Sequence, residues 1–402
     1  MGLLEDGRSN DKVLKTTLTR KVTLDGLTST YPVYKIKLDE LFYNEQNDRI
    51  ATWINKYKAQ HDGKAPDIDN KEEFNWIIEQ FIVESNPDAI KKTQLNIEMF
   101  EQREPGVVLN DGRIIDGNRR FTCLRRLAEK NEKFGYFEAV ILDRRIENSA
   151  KQIKMLELTI QHGEEEKVDY NPVDRLVGVY NDIIDTKLLT IDEYARSTNE
   201  DISTVKKNID VAQLMVEFLD FINAPKQFYI ARDLQVNGPL YELAGLLKKC
   251  STDNEKEDMK ISAFTNILMQ PAGDMTRYVR QLKQIAGTNY QAEFLEEQKD
   301  IASKVLDTLP AKGEMSTEKI RNVIRANEDA EERLECSMDK AVTKTKKDAT
   351  RNRPAQLVEK ASQLIEQIDT NIIMKMNNEE MSKFQKALNE LEDAMENIRE
   401  NL

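Results

Sequence analysis

One stretch constrains the fold more than any other. It runs Gly106-Val-Val-Leu, Asn110-Asp-Gly, Arg113-Ile-Ile, Asp116-Gly-Asn-Arg-Arg, and then a helical run from Phe121 to Lys130. Asn-Asp-Gly between two short apolar runs is a hairpin signal. After the helix, Phe137-Glu-Ala-Val-Ile-Leu-Asp reads as a third strand. Two strands leading into a helix, with the chain returning as another strand, predict a compact α/β or α+β unit. No internal repeat of 20–50 residues interrupts that reading.

The rest of the chain is arranged around this unit. Residues 1–30 are polar and rich in Thr and Lys, and are expected to form a weakly ordered arm. From Tyr31 to Leu38 the alternation approximates a half-buried strand. A turn over Asp39–Asn44 follows, and then helix to about residue 101, broken by the polar loop His61–Asp67. Helical patterning also dominates from Tyr241 to Ala286. Lys340–Arg353 is basic, and a solvated linker or helix face is the plainer reading of it than a phosphate contact. Near the end, Leu357, Ala361, Leu364 and Ile368, then Phe384, Leu388, Leu391, Met395, Ile398 and Leu402, recur at helical spacing. They predict two amphipathic helices with a seam too narrow for an independent core, to be buried against a partner or the preceding helices.

Composition narrows the chemistry. Three cysteines, Cys123, Cys250 and Cys336, are widely spaced, and His61 and His162 are the only histidines. Zinc sites, disulfide frameworks and imidazole-assisted nucleophiles are therefore disfavoured. With 33% charged residues, a mean hydropathy of −0.63 and no apolar run of spanning length, the chain is expected to be cytoplasmic, with no membrane partner. A net charge of −13 argues against a uniformly basic nucleic-acid binder, although a local basic face can coexist with it.

At Asp116-Gly-Asn-Arg-Arg a strand ends and a helix begins. Free backbone N–H groups and the positive end of a helix dipole can receive an anion there. Gly117 permits close backbone approach, and Arg119 and Arg120 can fork onto phosphate oxygens. A solvated helix start with an Asp–Arg pair is the plainer alternative.

This arrangement resembles the ParB/sulfiredoxin-like superfamily, whose members carry a strand, Gly-x-Arg-Arg or Gly-x-His-Arg, and a helix. The resemblance implies that Gly117, Asn118, Arg119 and Arg120 grip the triphosphate of a nucleotide, CTP or ATP, with Mg²⁺. Leu41-Phe-Tyr-Asn-Glu-Gln-Asn-Asp-Arg-Ile is similar to another box of that domain, which makes Asn44, Asn47 and Arg49 pocket candidates. Downstream, Tyr170-Asn-Pro-Val-Asp-Arg-Leu stands where ParB proteins open their DNA-binding region. Leu189–Ile209 then fits a helix-turn-helix register. Thr190 caps the first helix, Asn199 takes the turn, Ser203 caps the second helix, and Val205 and Ile209 pin it to the core. Ser203, Thr204, Lys206, Lys207 and Asn208 face outward as DNA contacts.

The chain departs from the family at the metal-positioning Glu-Asn pair. Aligning Gln161 places Leu158 and Thr159 on those positions, with Glu157 one residue away and His162 in place of Arg. Asp116, Glu157 and Gln161 are the catalytic candidates for a weak CTP or ATP turnover, and no metal ligands are assigned. Sulfiredoxin chemistry is set aside because Asn118 stands where its cysteine would. Asp116-Gly-Asn-Arg-Arg-Phe-Thr also resembles a box of GmrSD-type restriction families. That resemblance implies an NTP-dependent nuclease or phosphotransferase of a phage-defence system, with Asp116 near metal. An interaction scaffold with a vestigial pocket is the third reading.

The expected fold class is α+β, with a flexible arm (1–30), a nucleotide-binding domain (31–160), a helix-turn-helix domain (161–238), a helical region (239–353) and an amphipathic hairpin (354–402). The ParB resemblance makes DNA, a second copy of the chain, and a partner ATPase or defence-system subunit the expected partners. In this reading, nucleotide binding gates the closure of two protomers on DNA.

Overall fold

The structure, a computed structural model, describes residues 11–24, 27–142, 150–163 and 171–401. Six strands form one mixed sheet in the order β1-β2-β6-β4-β5-β3, with β1 Val13–Leu24, β2 Leu27–Lys37, β3 Phe42–Tyr43, β4 Gly106–Leu109, β5 Arg113–Asp116 and β6 Tyr136–Leu142. The Asn110-Asp-Gly turn joins β4 and β5 as an antiparallel pair, while β6 runs parallel to β4 and antiparallel to β2.

Two expectations change here. Within the expected arm, residues 13–24 are strand, because β1 pairs with β2 from Val13↔Ile36 to Leu24↔Leu27 and buries Val13 and Val22 in the core. The expected turn at 39–44 contains β3, and its Leu41, Phe42 and Tyr43 are buried.

Strand alternation sorts side chains onto two faces. Val108, Ile114, Phe137, Ala139 and Ile141 pack against helices α1 (Ala51–Gln60), α2 (Lys71–Ser85), α3 (Pro87–Phe100) and α4 (Asn118–Ala128). On the other face, Val107, Leu109, Ile115, Val140 and Leu142 pack against Ile153, Leu156 and Ile160 of α5 (Ala150–Gly163). The chain is helical from there on. Helix α6 (Pro172–Val179) runs into a π-type turn at Tyr180–Asp185, followed by α7 (Ile191–Thr198), α8 (Ile202–Phe221) and α9 (Phe228–Asp233). Longer helices then span Asn237–Leu247, Asp253–Met269, Gln291–Leu306 and Glu328–Glu366.

Packing divides the chain once, into Met1–Ala341 and Val342–Leu402. Within the first unit, α1 of the sheet region packs directly on α6 and α9. In the second unit, Asn378–Glu400 has a capping box at Asn377 and Glu380 and buries none of its residues, leaving Leu388, Met395 and Ile398 exposed.

Candidate functional site

The Asp116–Arg120 turn forms where expected, but its side chains part company. Gly117 sits at φ 101°, and a Cβ there would come within 2.7 Å of Phe137. Glycine is therefore required by backbone conformation and by an aromatic core residue. Asp116 accepts Arg20 at 2.8 Å and Arg120 at 3.0 Å. Burial works against its ionisation, but Arg120 and Arg20 outweigh burial and hold the carboxyl below the usual carboxylate range. Arg120 also donates to the Glu104 carbonyl, and Arg20 to that of Pro105. Arg120 thus ties the turn to the chain before β4 instead of forking with Arg119. Asn118 opens α4, with its Oδ1 buried and without a hydrogen-bond partner among the described residues.

Arg119 lines a cavity of about 470 Å³ together with Arg49, Ser85, Asn86, Asn171, Pro172, Asp174 and Arg232. Three helix starts border it. Asn86 caps α3 by accepting from Ala89 N–H, Arg119 stands at the second position of α4, and Asn171 caps α6 by accepting from Val173 N–H. Among the described residues, the positive ends of three helix dipoles and three guanidinium groups therefore meet one carboxylate. That carboxylate, Asp174, accepts the Thr52 hydroxyl at 2.6 Å and lies 3.4 Å from Arg232. Burial pushes it up to about 7, against the pull of Arg232 and the Thr52 bond.

The other candidates are placed elsewhere. Asn44 donates to Glu157, and Asn47 caps the Asp48–Ile50 turn, so both are buried and neither lines the cavity. Glu157 belongs to an ion cluster around Lys154, whose Nζ lies 2.7 Å from Asp48, 3.5 Å from Asp182 and 4.0 Å from Glu157. Burial alone would lower Lys154, but these three carboxylates outweigh it and raise the ammonium. Burial and Asp48 push Asp182 up to about 8, with Lys154 opposing them. The side chains of Gln161 and His162 lie outside the described residues, as does the whole of Tyr170. Cys123 is buried, and desolvation pushes its thiol up to about 12, in keeping with a core residue.

The helix pair carries its own correction. Thr190 and Glu193 form a capping box at the start of α7, and Asn199 adopts the left-handed conformation at φ 52°. The residue before α8 is Asp201, so Ser203 lies inside the helix and not at its cap. Val205 is fully buried and Ile209 only partly. Ser203, Thr204, Lys206 and Lys207 are exposed. Asn208 faces inward, buried and bonded by the Tyr241 hydroxyl, because the Asn237–Leu247 helix covers that side of α8.

Sequence reasoning missed Arg20, Thr52, Lys154, Asp174 and Arg232. Asp174 carried a signal in Asn171-Pro-Val-Asp, where an Asn cap and a Pro at the first helical position start a helix beside the cavity. Arg232 carried none.

No family model matches the chain, and no curated protein matches it. Among solved structures, the chain is similar to a Pnob8-like ParB-N domain at 14% identity, over 81% of this chain and 100% of that one, with a TM-score of 0.28. The mixed α and β class rests on the sheet and helices described above, not on that likeness.

Proposed function

We propose that this chain binds a nucleoside triphosphate through the arginine-lined cavity and DNA through α7 and α8, with binding at one site altering the other. The observation that carries the reading is the convergence of Arg49, Arg119 and Arg232 with three helix starts around about 470 Å³, against one carboxylate among the described residues. Polyphosphates suit such a site, because guanidinium forks and helix N-termini both favour dispersed negative charge. The volume falls within the range of small-molecule pockets, roughly 300–1,000 Å³.

Among the described residues, no group of three His, Cys, Asp or Glu side chains could hold a metal ion. Asp174, the one carboxylate among the described residues that line the cavity, is engaged by Thr52 and Arg232. Mg²⁺ would enter with the nucleotide and would screen its phosphate charge, since the described residues offer no carboxylate set to hold it. Asp116 and Glu157 are each taken up by ion pairs outside the cavity, which favours a binding protein over a nuclease. For DNA, Ser203, Thr204, Lys206 and Lys207 at the exposed start of α8 supply the contacts. The exposed apolar positions Leu388, Met395 and Ile398 favour self-association through Asn378–Glu400.

The test is titration with CTP, ATP and GTP, each with Mg²⁺, of the parent and of Arg49→Ala plus Arg119→Ala, with and without duplex DNA. Saturable binding that is lost in the double variant and shifted by DNA supports the reading. Nucleotide binding by the parent that DNA leaves unchanged removes the coupling, and no binding removes the reading.

A further inference from the structure

Arg232 reaches the cavity from well downstream of the strand-to-helix turn, on the short helix α9. Its neighbours hold it without neutralising it closely. NH1 donates to the Thr52 hydroxyl at 2.9 Å, and that hydroxyl in turn donates a hydrogen bond to Asp174 at 2.6 Å. The direct Arg232–Asp174 separation is 3.4 Å, beyond the roughly 2.7–2.9 Å of a close charge-assisted bond. The guanidinium also lies 4.9 Å from the centre of the Trp53 ring. The hydrogen bond and the ion pair both fall on NH1 of a fork that carries five N–H donors.

We propose that Arg232 is an anion-binding residue of this cavity and that an entering phosphate competes with Asp174 for its guanidinium. The proposal rests on the reading of the cavity as a phosphate site. A multiply charged phosphate is a stronger acceptor for a guanidinium than a hydroxyl bridge to one buried carboxyl. The helix that carries Arg232 packs against α1, α6 and α8, so the pull of a ligand is felt in the sheet region and in the second helix of the α7–α8 pair. Arg232 thereby joins ligand binding to the part of the chain proposed to touch DNA.

Trp53 provides the reporter, since Trp76 is the only other tryptophan and is exposed. In a Trp76→Phe background, inorganic triphosphate is titrated while Trp53 emission and calorimetric heat are followed. The variants are Arg232→Ala, Arg232→Lys, Asp174→Asn and Arg119→Ala, each checked for its thermal transition. Competition predicts opposite signs. Arg232→Ala should weaken binding at least tenfold and remove the Trp53 response. Asp174→Asn should tighten binding severalfold. A merely structural Arg232–Asp174 pair would weaken binding in both variants, and that result overturns the proposal. Unchanged affinity in both, with loss in Arg119→Ala, overturns it while leaving the phosphate site standing. No binding by the folded parent overturns both. If Arg232→Ala does not fold, Arg232→Lys and Asp174→Asn still decide the matter through their opposite or matching signs.

Discussion

Two charge clusters lie near each other in sequence and differ in kind. Around Lys154, one ammonium faces Asp48, Glu157 and Asp182, all buried, and Asn44 adds a hydrogen bond. Around Arg119, three guanidinium groups and, among the described residues, one carboxylate line a cavity. The first cluster is closed upon itself, joining the Asp48 turn to α5 and to the π-type turn at Tyr180–Asp185. The second borders space that a ligand can fill. A cluster that fills its own space holds the fold together, and one that lines a cavity leaves room for a ligand.

The largest effect should come from breaking the closed cluster. Lys154→Met strands buried carboxylates and should cost about 3–5 kcal/mol, read as a fall in the urea midpoint. A loss under 1 kcal/mol would mean the cluster is dispensable. By contrast, Arg49→Ala plus Arg119→Ala should act on ligand affinity, lowering it about 100-fold, or roughly 3 kcal/mol. Lys206→Ala plus Lys207→Ala should weaken DNA binding about tenfold and reduce the salt-dependence slope by about 2. Nucleotide affinity measured without DNA should not move. Thr190→Ala should cost about 1 kcal/mol by removing the α7 cap, a change that touches neither cluster.

The smallest effect sharpens the comparison through pH. Asp174 and Asp182 have raised values, about 7 and about 8, so between about pH 4 and each of those values the folded carboxyl keeps a proton that the unfolded one has lost. Stability from these groups is therefore present at acid pH and lost as pH rises toward 8. Asp182→Asn and Asp174→Asn should each flatten that loss, measured as the difference in thermal midpoint between pH 5.5 and pH 8. A steeper dependence in either variant would contradict the assignment. The charged groups around Asp174 are Arg232 and Asp48, with Arg49 and Arg119 across the cavity; those around Asp182 are Lys154, Asp48 and Glu157.

Local chemistry was legible in the sequence where a short segment determines its own conformation. The Asn110-Asp-Gly hairpin, the glycine at 117, the Thr190 cap and the left-handed Asn199 follow from backbone preferences that act within a few residues. What depended on distant partners was not legible. Arg120 and Arg119 are adjacent in sequence, but Arg120 is held by Asp116 and the Glu104 carbonyl while Arg119 lines the cavity. Asn208 occupies an outward position in a helix-turn-helix register, and the Asn237–Leu247 helix closes over it. Thr-rich residues 13–24 lack strong periodicity, and they become strand because β2 offers a paired edge. Arg232 lies in no motif, and tertiary packing alone delivers it to the cavity.

The most direct test of the account is calorimetric titration of the full chain with Mg²⁺-CTP and Mg²⁺-ATP, beside Arg49→Ala plus Arg119→Ala, with the thermal midpoint of each protein recorded. The account predicts saturable binding by the parent of at least one nucleotide, and its loss in a double variant whose midpoint stays close to that of the parent. A folded parent that binds neither nucleotide, or a double variant that binds as the parent does, would contradict it.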